Sequence, residues 1–166
     1  MRKERSRWPV VLIRTALLIC AGAAALAVAL TAQGWTSTRV TGGSPAVVKT
    51  AFNKTLKRTI VVDGRGRTLY IFTADIGGKS ACTGDCRRPW PAFTSVGKPA
   101  AGKGINPALL DITPDEGQVR YNHHPLYLYR GGFGTGRGDR RLGDVEGQAL
   151  FQVWYVLSPR GIPIRR

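Results

Sequence analysis

The chain is poor in negative charge, in histidine and in cysteine. Ten Asp and Glu stand against 25 Lys and Arg in 166 residues, with two His and three Cys. It contains no Gly-x-Ser-x-Gly, no His-Glu-x-x-His and no isolated carboxylate pair. The signatures by which hydrolytic centres are read are therefore missing, and an enzyme is not expected. No helix pattern follows "GGFGTGRGD", so that glycine run is no dinucleotide loop. Its "RGD", residues 137–139, reads as a coincidence of an Arg- and Gly-rich stretch. A concentrated basic helix is also lacking, and together with export this argues against nucleic acid.

Charge is absent altogether from "TALLICAGAAALAVAL", residues 15–30, while "MRKERSRWPVVLIR" before it holds five Lys/Arg and one acid. A positive flank ahead of an apolar run is the pattern of an export signal or a membrane anchor, here residues 1–31. The run is slightly short of the ~20 residues that span a bilayer, unless it is counted from Pro9 with Arg14 snorkelling. Small residues at 27–29 offer a cleavage site, so cleavage and retention both stand. Basic residues before the run place residues 35–166 outside the cytoplasm. Leu18 and Ile19 precede Cys20 where a lipidation site needs small residues, so Cys20 reads as a membrane-buried hydrophobe.

What remains is a tether, residues 32–46, and one domain, residues 47–166, long enough for a single core. Residues 35–166 hold 20 Lys/Arg and 9 Asp/Glu, a net charge of +11. Such a domain favours an anionic envelope surface or an acidic protein, with the membrane reached by the N-terminal segment. "TIVVDGRGRTLYIF" predicts a hairpin turning at Asp63–Gly66. Leu69 and Ile71 face one way, Tyr70 and Phe72 the other, so this strand is expected to be covered on both sides. Residues 78–93 read as a loop, and a longer loop follows with one helical turn at 107–110. "GQVRYNHHPLYLY" repeats the hairpin theme, with a turn at 122–124 before Pro125. The last strand is expected over 150–158. Leu-Tyr-x-aromatic thus occurs twice, at 69–72 and 126–129, and each copy is followed by a tryptophan, Trp90 and Trp154. The pattern predicts an all-β fold: a small single domain of antiparallel hairpins with an imperfect internal duplication, whose two units share one core.

"GRTLYIFTAD…SACTGDCRRPWP" with "QVRYNHHPLYLY…GDVEGQ…WYVLSPRG" resembles the bacterial secreted-repeat lipoproteins, a family of unknown function with a Tyr-x-aromatic-x-x-Asp motif. Tyr70, Phe72 and Asp75 fit the motif. Cys82, Cys86 and Trp90 fit the cysteine–tryptophan segment. Tyr127 and Tyr129 fit the second copy, and Asp144 and Trp154 its later loop and strand. Gly132 stands where Asp would complete the second motif, and His124 where the family has Gly. The resemblance implies a class and no activity.

Cys82 and Cys86 in "CTGDC" read outside the cytoplasm as a disulfide. A copper-type metal site is the alternative, from both cysteines with His123 or His124. Neighbouring histidines point opposite ways in extended chain, so both on one ion is awkward. Asp75 reads as a turn cap, or as a cation ligand with Asp85. The tyrosines and Trp154 read as core, or as the lining of a small-ligand groove. The expected role is a non-catalytic extracytoplasmic interaction module. A copper-binding or redox accessory protein and an aromatic-groove ligand binder are the alternatives.

Overall fold

A computed structural model of the chain describes residues 43–132 and 136–165. The expected N-terminal hydrophobic helix over residues 1–31 and most of the expected tether lie outside these residues. Among the described residues no helix is long and apolar enough to cross a membrane. The described residues fall in one compact unit.

The described residues form eight strands: β1 Val47–Asn53, β2 Arg58–Asp63, β3 Tyr70–Phe72, β4 Ala100–Ala101, β5 Leu110–Ile112, β6 Val119–Tyr121, β7 His124–Pro125 and β8 Trp154–Val156. Their ladders run β2-β1-β4, β3-β8 and β5-β6-β7, all antiparallel except β1 with β4. Helical structure among the described residues is limited to three short 3₁₀ turns, so the all-β expectation fits. The first predicted turn falls where expected, but β2 and β3 form no ladder together: β2 pairs with β1 and β3 with β8, and an isolated bridge joins Val62 to Thr68. Asp63 Oδ1 accepts from the N–H of Arg65 and Arg67, its carbonyl from Gly66, and its own N–H donates to Arg67. An Asp whose side chain replaces backbone partners is what such a turn needs. The 3₁₀ turn Pro107–Leu109 falls inside the predicted helical turn, with Asn106 capping Ala108 N–H.

Three expectations need correction. The second hairpin turns at Asn122 and His123, both left-handed, and His124 already pairs with Tyr121. The supposed long loop contains β5, which pairs with β6. The last strand begins only at Trp154, because Ala149, Phe151 and Gln152 all have positive φ and break the extended run.

Alternation along the strands sorts the interior into two cores. Val61, Leu69, Ile71, Leu126 and Leu157 pack in one with Val48, Val119 and Tyr121. Ile60, Val62, Tyr70, Tyr127, Trp90 and Trp154 pack in the other. The first Leu-Tyr segment is therefore covered on both faces, as its sequence implies, and so is the second.

Candidate functional site

The two Leu-Tyr segments lie side by side. Tyr70 N–H donates to Tyr127 O and Tyr127 N–H to Tyr70 O, both at 2.9 Å. Around this reciprocal pair the two halves make matching bonds. Leu69 N–H donates to Val61 O and Leu126 N–H to Val119 O. Val61 N–H donates to Leu157 O and Val119 N–H to Phe93 O. The Trp-bearing segments are exchanged. The segment after Trp90 pairs with the second half, through Ala92 with Tyr127 and Thr94 with Gln118. β8, carrying Trp154, pairs with β3 of the first half.

This exchange brings the aromatics together. Trp90 and Trp154 stack at 3.8 Å with planes 4° apart. Phe72 stacks on the outer face of Trp154 at 4.3 Å, and Tyr129 on Trp90 at 4.2 Å. Tyr70 meets Trp90 edge-on, and Tyr127 meets Trp154 the same way. Such offset and T-shaped contacts add to the area that each ring buries. Both tryptophans are 3 % exposed and both central tyrosines 0 %, so the rings fill the space a ligand in an aromatic groove would need.

The hydroxyls reach across to aspartates. Tyr127 Oη donates to Asp75 Oδ2 at 3.0 Å, and also lies 2.7 Å from Ser80 Oγ. Tyr70 Oη donates to Asp139 Oδ2 at 2.7 Å and accepts from Gly147 N–H at 3.3 Å. Each aspartate also caps a loop, Asp75 at Ala81 N–H and Asp139 at Glu146 N–H. Burial pushes both carboxyls up to about 6, against the pull of their hydrogen bonds. Burial, with the facing carboxylate second for Tyr70, also holds both phenols well above the usual tyrosine range. Phenols kept protonated beside half-buried carboxyls serve as hydrogen-bond donors.

Asp139 is the residue that sequence reasoning missed. It is the spatial counterpart of Asp75: Asp75 N–H donates to Phe72 O, and Asp139 N–H to Tyr129 O. The motif spacing points to Gly132, but the chain makes an excursion before returning. Gly131 and Gly138 form its neck, where a Cβ on either would collide with the backbone of the other strand. A glycine-rich run from Gly131 to Gly138, ending in the "RGD" read as coincidence, was the available signal.

The remaining candidates have separate partners. Cys82 and Cys86 are joined as a disulfide, with Cα atoms 5.3 Å apart. Joined in this way neither is a thiolate, and among the described residues no group of three or more His, Cys, Asp or Glu is placed to hold a metal ion. His123 is exposed in the turn, and His124 is half-buried in β7, where burial lowers its pKa. Asp85 pairs with Arg88 at the surface, while Asp75 caps its loop. Asp144 Oδ2 accepts from the N–H of Arg140 and Arg141, and those bonds hold its carboxyl below the usual range.

Fold and site define an all-β module in which the motif residues brace two interlocked halves. Residues 54–94, from the turn after β1 to the Trp90 segment, match the family described as a secreted repeat of unknown function. That description agrees with an extracytoplasmic location. No curated protein and no solved structure matches the chain.

Proposed function

We propose that residues 47–166 are a non-catalytic module of the cell envelope, built on an imperfect internal duplication, that holds to an anionic surface. One observation carries this reading. The residues best suited to chemistry are occupied with one another: the tyrosines with the aspartates, the two tryptophans with each other, the two sulfurs in a disulfide. The exterior is left as the place for an outside partner, and it is cationic, with 20 Lys/Arg against 9 Asp/Glu over residues 35–166. A basic residue near an anionic membrane contributes about 1 kcal/mol, and few can face one surface at once. Attraction of that size is weak and reversible, which suits a domain already tethered nearby.

Among the described residues the buried core lies between Val48 and Ile164, so residues 35–166 keep it as a fragment. Co-sedimentation of this fragment with anionic and neutral vesicles across a salt series tests the reading. Binding to anionic vesicles alone, weakened by salt, is expected, because exposed charges are screened over about 8 Å at physiological ionic strength. Equal binding to both vesicle types, or binding indifferent to salt, would overturn it.

A further inference from the structure

One face of the module combines cations outside any described ion pair, Lys49 Nζ donating to the Gly64 carbonyl at 2.9 Å, with apolar side chains held in water. Phe52, next to last in β1, is 65 % exposed, and Leu142, in the loop beyond Asp139, is 69 % exposed. Both line a cleft of about 320 Å³ that Lys49 and Arg65 also line. They line a second, adjoining cleft of about 420 Å³ together with Lys54 and Arg141. Asp144 is the one carboxylate among the lining residues of the two clefts, and its Oδ2 is taken by backbone N–H groups. Among the described residues no ion pair joins Lys49, Lys54, Arg65 or Arg141 to a carboxylate.

Leu142 is not exposed through slackness. Asn53, 3 % exposed, donates from Nδ2 to Gly143 O at 2.8 Å and accepts Leu56 N–H on Oδ1. Thr68, 1 % exposed, donates to Asp144 O at 2.6 Å. Two buried polar side chains thus clamp the loop on the C-terminal side of Leu142, and the Leu142 side chain lies over the Gly66 turn. A fold that fixes a leucine in this manner, beside an exposed phenylalanine, offers both to a medium other than water.

We propose that this face, with Phe52 and Leu142 as inserting side chains and Lys49, Lys54, Arg65 and Arg141 as headgroup contacts, docks on an anionic lipid bilayer. The inference rests on the surface-binding reading above and names its place and partner. Lipid is favoured over a soluble polyanion because only a bilayer supplies both anionic headgroups and an apolar phase for the two side chains. Reach is adequate, since the 15 residues of the tether extend to roughly 50 Å at ~3.3 Å per residue.

The test uses the full chain in vesicles of phosphatidylcholine with or without phosphatidylglycerol, domain outward. Cys20→Ser removes the cysteine outside the disulfide, and an environment-sensitive fluorophore is attached at Phe52→Cys, Leu142→Cys, Ile76→Cys or Val96→Cys. Ile76 and Val96 are 82 % and 60 % exposed and line neither cleft. Labels at 52 and 142 should be quenched by nitroxide lipids in anionic vesicles at low salt, and lose most of that quenching in neutral vesicles or high salt. Labels at 76 and 96 should stay unquenched. Reversing the charge of Lys54, Arg65 and Arg141 together should weaken the signal at 142 about tenfold or more, with folding checked by thermal melt. Quenching at 76 or 96 but not at 142 would overturn this face and leave the surface-binding reading standing. A signal at 142 that follows protein density and ignores lipid charge would assign the face to a second copy and overturn the proposal. No lipid-dependent quenching at any position would sink both.

Discussion

The two tyrosine–aspartate bonds tie each half of the molecule to the other, and they set its response to pH. Asp75 and Asp139 have folded-state values of about 6 against an ordinary 3.8, so the folded protein binds more protons than the unfolded chain between those limits. Their destabilising ionisation is fully present above pH 6, is relieved as pH falls through it, and is gone below 3.8. His124 acts in the opposite sense, because its lowered pKa makes the unfolded chain the better proton acceptor below 6.5. A comparison with the Asp139→Asn variant cancels the histidine. Between pH 7 and 4.5 the denaturation midpoint of the native chain should rise relative to that variant, as chemical unfolding would show; a relative fall would contradict the burial argument. Tyr70→Phe should cost about 1–2 kcal/mol at pH 7, since it leaves a half-buried carboxylate short of a donor. The motif tyrosines and Asp75 were legible in the sequence because their spacing is regular. Asp139 was not, because a backbone bond to Tyr129, and no fixed offset, defines its place.

Among elements, the exchange of Trp segments matters most. Neither half keeps its own Trp strand beside its own Leu-Tyr strand, so neither has a complete sheet alone. The four-ring stack Phe72–Trp154–Trp90–Tyr129 is the packing consequence. Trp90→Leu should destabilise by about 2–4 kcal/mol, and so should Trp154→Leu. Because the two share one contact, their double variant should lose less than the sum of the singles, a difference that a double-mutant cycle reads directly. Full additivity would mean that the stack carries no coupling. The turns at Asp63 and near Asn122 could be read from residue chemistry, whereas β1, β5 and the exchange could not. β1 and β5 are recruited by partners remote in sequence, and the true start of β8 depends on left-handed Phe151 and Gln152, residue types that rarely signal a break.

For the whole molecule, the loop before Asp139 separates what builds the fold from what decorates it. Deleting residues 131–137 leaves Arg130-Gly138 between Tyr129 and Asp139, the same spacing as Thr73-Ala74 between Phe72 and Asp75. The neck at Gly131 and Gly138 is already in backbone contact, so the closure needs little movement. The shortened protein should fold with its Tm within about 5 °C of the parent. A collapse of cooperativity in the melt would show that the excursion is part of the core. Net charge was plain from composition, but its arrangement beside Phe52 and Leu142 was not, since those two residues meet only through the clamps made by Asn53 and Thr68.

The central claim is that the repeat's aromatic and acidic residues build the scaffold while the basic exterior does the binding. The partition of the Tyr70→Phe, Tyr127→Phe double variant onto anionic vesicles, measured where it and the parent are both folded, tests this most directly. A lowered melting temperature with vesicle affinity within about twofold of the parent is the expected result, since every cation is left in place. Loss of vesicle binding by a protein that is still folded would contradict the claim and move the function to the tyrosine–aspartate pairs themselves.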